Sequence, residues 1–268
     1  MKKYLHVMAI GVQNTLTYRV NYLFRATFGF IPIMATIYLW RAVYAGKSAG
    51  PDVGTYSLAA MTSYYILVTV VDSLTAVTDD DWQIAADIKD GKISQFLLKP
   101  INFLAYRLSL FAAGRMVYTA MAVVPTAILI YCLRQYWVAP PSWTVLAVSV
   151  LSLALTGLLQ FFISYTMALL AFWVMEVSTF IFIAFAFEYI AGGHLFPLNI
   201  LPDFWQKALM FTPFPYMLYY PVSVYLGQSA GRQMWLGLAI QAGWVAVAYG
   251  LARFVWSRGV KKYSAAGG

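Results

Sequence analysis

Residues 143–170 read WTVLAVSVLSLALTGLLQFFISYTMALL, 28 residues without one charged side chain. A helix needs about 20 mostly apolar residues to cross the hydrocarbon of a bilayer, so this stretch predicts a transmembrane helix. The rest of the chain has the same character: 62% of its 268 residues are hydrophobic and 10% are charged, against roughly 25% charged in a soluble domain. A soluble chain of this length cannot hide so much apolar surface in one core. Lipid is therefore the expected solvent. Further spans fall near 26–44, 56–77, 103–131, 175–190 and 235–256. The fifth in chain order, 175–190, is short because Glu176 and Glu188 bracket it. The spans at 103–131 and 143–170 are long enough to tilt or to run past the hydrocarbon. Trp40, Trp137, Trp143, Trp173, Trp235 and Trp256 sit near the proposed ends, where amphipathic rings favour the headgroup zone. The fold class is all-α: a polytopic membrane protein with six transmembrane helices, forming one membrane domain over residues 1–268.

Lysine and arginine set the orientation. Lys2, Lys3, Arg19 and Arg25 precede the first span, and Lys89, Lys92, Lys99 and Arg107 lie in or beside the loop after the second. Arg253, Arg258, Lys261 and Lys262 close the chain. These face one side; Arg41, Lys47, Arg134, Lys207 and Arg232 face the other, and Arg115 lies inside a span. The positive-inside rule puts both termini and the 78–102 loop in the cytoplasm, and the expected location is a bacterial inner (plasma) membrane. The formal charge of +8 thus reflects topology and implies no nucleic-acid partner. Residues 4–25 carry Leu5, Met8, Val12, Leu16 and Val20 at helical spacing, with Asn14, Arg19 and Asn21 polar. That pattern suits an amphipathic helix in the inner interface, over residues 1–25, against membrane lipid; the alternative is a cytosolic extension of the first span.

Between spans two and three, residues 78–102 form the most informative loop. Thr78 is placed to cap a helix whose first turn holds Asp79, Asp80 and Asp81, complementing the positive end of the helix dipole. Gly91 suits a terminator, because glycine accepts the left-handed conformation that ends helices. Trp82, Ala85 and Ile88 fall on one stripe, continued by Ile93, Phe96 and Leu97. A short amphipathic helix must dock on something. The aspartates, with Asp87 and Asp90, argue against an anionic leaflet, leaving a groove on a cytosolic partner or the protein's own bundle.

A second segment, 191–226, holds five of the eleven prolines (Pro197, Pro202, Pro213, Pro215, Pro221) in an aromatic-rich run. It is too apolar for a free loop and too broken for a straight span. Irregular backbone survives at membrane depth only when buried in protein or lining a cavity. The expectation is a re-entrant hairpin with a half-helix near 203–211, the alternative an external loop packed on the membrane surface. Charged residues inside spans are functional candidates: Asp72 near the inner end of the second span, Arg107 and Arg115 on the third, and Glu188 near the outer end of the fifth; Gln160 in the fourth span is a further polar candidate. Asp72 matches Arg107 in depth better than Arg115, so an Asp72–Arg107 pair is the expectation. Helix packing is the more ordinary use of such pairs.

Several signals fail. Ala45-Gly46-Lys47-Ser48 lacks the leading glycine of a P-loop, with Arg41 in its place, and follows a membrane helix instead of a strand. His6 and His194 share no metal-ligand spacing with Cys132, the only cysteine. The Gly-x-Ser-x-Gly spacings at 46–50 and 227–231 lie in a chain read as all-helical, with no strand to form a nucleophile elbow, and no serine is marked as a partner for His194. Gln13, Asn14 and Arg19 interrupt the first apolar run, so it does not read as a cleavable signal.

These segments, in this order, resemble the ABC-2-type permeases, the membrane subunits of ATP-binding-cassette exporters. Residues 87–102, DIKDGKISQFLLKPIN, are similar to the I-x-x-G-x-[ILF]-x-x-x-L-L-x-P-[IL]-N loop of the viologen- and multidrug-exporter-like subgroup. Gly193 to Leu198, Pro202 to Trp205 and Pro213-Phe214 are similar to its G-x-x-x-P-L, P-x-x-[WF] and P-F hairpin. A Gly192-Gly193-His194 lead-in stands where a Ser-Gly pair is usual. The resemblance covers nearly the whole chain. It implies a permease without catalytic residues of its own, and cytosolic ABC ATPase subunits carrying ATP and Mg. It also implies a second permease copy, identical or homologous, across a central pathway. Residues 79–98 would be the coupling helix, with Trp82 and Ile88 as apolar anchors, Asp87, Asp90 and Lys92 as polar contacts and Gly91 setting the bend. The Phe172–Glu176 turn would be a second contact. Gly193, Pro197, Pro202 and Pro213 would belong to the outer gate, and an 18% aromatic content suits an amphipathic or hydrophobic cargo. A six-helix transporter or scaffold without an ATPase would instead pack its 79–98 loop on itself.

Overall fold

The computed structural model describes residues 2–46, 55–77 and 80–263. Thr78, Asp79, the side chains of Asp80 and Asp81, and Lys47 and Ser48 lie outside the described residues. Every regular element is helical among those described: α1 Lys2–Thr17, α2 Arg19–Phe28, α3 Phe30–Ala45, α4 Leu58–Thr75, α5 Asp80–Lys89, α6 Ile93–Leu97, α7 Phe103–Cys132, α8 Trp143–Ala168, α9 Ser178–Ala191, α10 Asp203–Met210, α11 Tyr219–Tyr225 and α12 Gly231–Lys262. Among the described residues, four apolar stretches are long enough to cross a membrane: α4, α7, α8 with its extension to Phe172, and α12. The shorter apolar helices α3 and α9 stand at the first and fifth predicted spans.

Three spans begin at side-chain caps. Ser57, Asn102 and Ser142 each accept a hydrogen bond from the backbone N–H three residues on, at 3.2, 3.0 and 3.3 Å, satisfying donors a helix start leaves open. The N-terminal segment forms two helices instead of one and runs along the bundle. Lys3 Nζ donates to the Pro100 carbonyl at 2.6 Å, and the Tyr4 hydroxyl accepts from the Asn102 N–H at 3.2 Å. A turn or two on, a side-chain carbon added at Gly11 would meet Ala113 at 2.9 Å. The contact α1 makes is therefore the flank of α7.

The broken segment folds back on itself. The Tyr219 N–H donates to the Gly192 carbonyl at 3.0 Å, closing its two limbs. Between them lie a 3-10 turn at Leu198–Ile200, α10, and a second 3-10 turn at Phe214–Met217. The return limb is buried: Tyr216, Met217, Leu218 and Tyr220 are each at most 5% exposed. Its unpaired backbone is satisfied from the core. Gln241 on α12, fully buried, donates to the carbonyls of Tyr216 and Ser152 and to Thr156 Oγ1, at 2.9, 3.0 and 3.0 Å. It accepts from the Ser152 hydroxyl at 2.8 Å. The described half-helix, α10, keeps Phe204 and Trp205 exposed, and Phe211 just past its end is exposed too.

Candidate functional site

At the end of the bundle where α7 begins and α12 ends, the loop after α4 meets the turn after α8. Two helical turns place Ile84, Asp87 and Ile88 on one face of α5, because residues three and four apart share a face. That face packs on α8 and on the 3-10 turn Leu169–Phe172, leaving Ile84 1% and Ile88 4% exposed. Asp87 is carried inward with them. Its carboxylate pairs with Arg107 of α7 and accepts from Gln83 Nε2 at 3.1 Å, while the Arg107 guanidinium lies 5.2 Å from the Phe103 ring centre. Burying two charges carries a large desolvation cost; the amide and the ring offset part of it.

Gly91 ends α5 with φ +74°, a conformation costly to any residue with a side chain. The chain then turns into α6, burying Ile93 completely. The hydroxyls of Ser94 and Tyr263 share a 3.0 Å hydrogen bond, and aromatic contacts run from Tyr263 to Phe172, Trp256 and Phe103 with centroids 5.8, 5.9 and 4.9 Å apart. The loop, the turn and the end of α12 are thus one packed unit. Its outward surface keeps apolar groups in the open: Trp82 is 45%, Leu98 89% and Met175 89% exposed. Asp90 and Lys92 pair at 2.9 Å on the surface, where the Asp90 carboxylate raises the Lys92 ammonium above its ordinary pKa. Glu176 accepts from the Ser178 hydroxyl.

Three sequence expectations are corrected here. The stripe through Trp82, Ala85 and Ile88 is rotated, since Ile84, Ala85, Asp87 and Ile88 are buried and Trp82 is not. Asp87 and Ile88 face the protein's own bundle and leave the outward surface to Trp82, Asp90, Lys92 and Glu176. Arg107 pairs with Asp87, not with Asp72. The signal was in the sequence: Asp87 follows Ile84 by three residues, so it had to share the buried face.

The second candidate lies between the spans. Asp72 on α4 faces His194, just past Gly193 (φ +97°), with Oδ1 3.2 Å from the ring Nε2. The His194 ring stacks on Tyr189 at 4.8 Å. Gly193 is held from α4, its carbonyl accepting from the Tyr64 hydroxyl, and the Leu195 carbonyl accepts from Tyr65, both at 2.6 Å. A side chain at Gly193 would press on the Tyr64 hydroxyl at 2.8 Å. Glu188 approaches Gln160 of α8, Oε1 to Nε2, at 3.5 Å. Glu188, near the end of the 14-residue α9, lines one cavity together with Asp72, His194 and Gln160. Two cavities flank the Asp72–His194 pair, of about 520 Å³ toward α8, α9 and α12 and about 340 Å³ toward α3 and α7, the smaller one lined by Arg115. Pro213 lines the larger; Pro197 and Pro202 precede the 3-10 turn and α10 and touch neither cavity. Among the described residues no group of three or more His, Cys, Asp or Glu side chains is placed to hold a metal ion.

A helical bundle with apolar spans, a broken hairpin packed into its core and a polar cavity between the spans defines a multi-pass membrane protein. The family model described as ABC-2 family transporter protein matches residues 30–267, and the chain belongs to that family as a transporter permease subunit. Neither the curated proteins nor the solved structures include a match to it.

Proposed function

We propose that the chain is the permease of an ATP-driven exporter, with ATP and Mg bound by separate cytosolic ABC ATPase subunits. One observation carries the reading: α5 and α6 pack with the turn after α8, distant from them in sequence, into one surface with exposed apolar anchors and a charged rim. Trp82, Leu98 and Met175 would enter the ATPase groove; Asp90, Lys92 and Glu176 would give polar contacts. The lysine and arginine distribution supports placing this end and both termini in the cytoplasm of an inner-membrane protein. The hairpin would then close the outer face, and a second permease would complete the pathway. The loop and hairpin motifs support kinship with the viologen- and multidrug-exporter-like subgroup and a hydrophobic or amphipathic cargo.

Packing of α5 on its own bundle is also what a transporter or scaffold without an ATPase would show. The exposed opposite face is what the coupling reading adds. Affinity purification from the native membrane in mild detergent, with the eluate assayed for ATP hydrolysis, separates the two. An ATPase that co-purifies, and is lost in a Trp82→Ala, Asp90→Lys variant of unchanged stability, supports coupling; an intact permease that repeatedly emerges alone supports the scaffold.

A further inference from the structure

The geometry points to the larger cavity as a binding site for a protonated amine on an apolar body. This rests on the permease reading and names the cargo chemistry for it. Gln160 is 5% exposed and lines the cavity, yet its Oε1 has no hydrogen-bond partner. Its Nε2 reaches Glu188 only at 3.5 Å, the outer limit of a hydrogen bond, so most of the acceptor capacity of Glu188 is also unused. Asp72 lines the same cavity with a side chain 36% exposed, and only Oδ1 is engaged by His194. Three acceptor groups on three helices therefore converge on one space.

The cationic side chains nearby are engaged or placed elsewhere. His194 Nε2 faces Asp72, leaving Nδ1 without a partner, and Arg115 lines the smaller cavity on the far side of that pair. Ser164, Thr166 and Tyr189 also line the cavity, and the rest of its wall is apolar, with Ile163, Met167, Phe185, Phe214 and Leu251. Unsatisfied acceptors in an apolar surround are costly unless a donor arrives, and a charged donor is worth more than a neutral one. A volume of about 520 Å³ is in the range of small-molecule sites. An ammonium with N–H groups satisfies Glu188 and Gln160 together, and its apolar body fills the wall.

The test uses the full chain in phosphatidylcholine nanodiscs with three matched fluorescent probes: 1-pyrenemethylammonium, 1-pyrenemethanol and 1-pyrenecarboxylate. Binding is read as tryptophan-to-pyrene energy transfer above that of empty discs and of discs holding an unrelated membrane protein. The unaltered protein should bind the ammonium about tenfold or more tightly than the alcohol, as expected for a charge-assisted hydrogen bond, and the carboxylate least. Glu188→Gln should remove most of that preference, and Gln160→Leu part of it, with alcohol binding kept within about twofold as the check on folding. Equal binding of ammonium and alcohol in the unaltered protein overturns the inference without any variant; so does a preference that survives both Glu188→Gln and Asp72→Asn. Adding phosphatidylethanolamine to the discs distinguishes sources: competition assigns the ammonium to a lipid headgroup, and its absence assigns it to a free amine. No ATPase takes part, so losing the preference while an ATPase still co-purifies removes this inference alone. The reverse pattern removes the coupling reading alone.

Discussion

Replacing Asp87 by alanine should loosen the loop from within the protein rather than at a partner surface. The Arg107 and Asp87 side chains are 4% and 10% exposed, so truncation strands a buried guanidinium without its Asp87 partner. Breaking a buried pair in this way costs about 3–5 kcal/mol. At 1.4 kcal/mol per factor of ten, local opening of α5 becomes roughly 100-fold or more easier, up to the limit set by global unfolding. Hydrogen exchange by mass spectrometry on peptides covering 82–95 reads this directly. A double replacement, Asp87→Leu with Arg107→Met, removes both charges and refills the space with apolar groups, an exchange that is often neutral or stabilising. Protection should then return to within about tenfold of the unaltered protein. The surface-contact alternative gives the opposite signature: Asp87→Ala weakens ATPase binding while exchange at 82–95 stays within about threefold of the original. That result would refute the buried-latch account.

Other substitutions follow the same logic. Gln241→Leu deprives the Tyr216 carbonyl and Thr156 of their shared donor; hydrogen bonds inside membrane bundles are worth about 0.6–1.7 kcal/mol each, so unfolding in a detergent titration should shift by about 1–3 kcal/mol. Tyr64→Phe with Tyr65→Phe removes both donors to the hairpin lead-in, and limited proteolysis should then cut 193–203 first. Gly91→Ala meets only an ordinary 3.7 Å contact with Tyr263, so its cost is the left-handed backbone alone, about 1–2 kcal/mol. Exchange at 88–95 should rise by roughly 5- to 30-fold, less than for Asp87→Ala.

The spans were readable because their signal is one-dimensional. Predicted boundaries at 103–131 and 143–170 stand against Phe103–Cys132 and a helix from Trp143 that continues to Phe172, and the half-helix near 203–211 against Asp203–Met210. Composition and capping residues suffice for that. Pairing depends on how helices are rotated and on where short ones stop. Asp72 found His194 rather than Arg107 because the chain past α9 turns back at Gly193 and lays the imidazole beside α4. Glu188 lines the same cavity from near the end of α9, and its bracketing charges did not say what it would meet. The N-terminal helices carried an interfacial pattern, yet Gly11 and Tyr4 show what the pattern left out, a flank of α7 close enough to need glycine.

The central claim is that ATP hydrolysis reaches this permease through the surface of Lys92, Trp82 and Met175. Its most direct test is disulfide or maleimide crosslinking in a Cys132→Ser background, which removes the only cysteine. Lys92→Cys, Met175→Cys and, on α10 of the hairpin, Lys207→Cys are compared in native membranes. Crosslinks from positions 92 and 175 to an ATP-hydrolysing subunit, and none from 207, are the predicted result. Crosslinking from 207, or none from 92 and 175 while the ATPase still co-purifies, would contradict it.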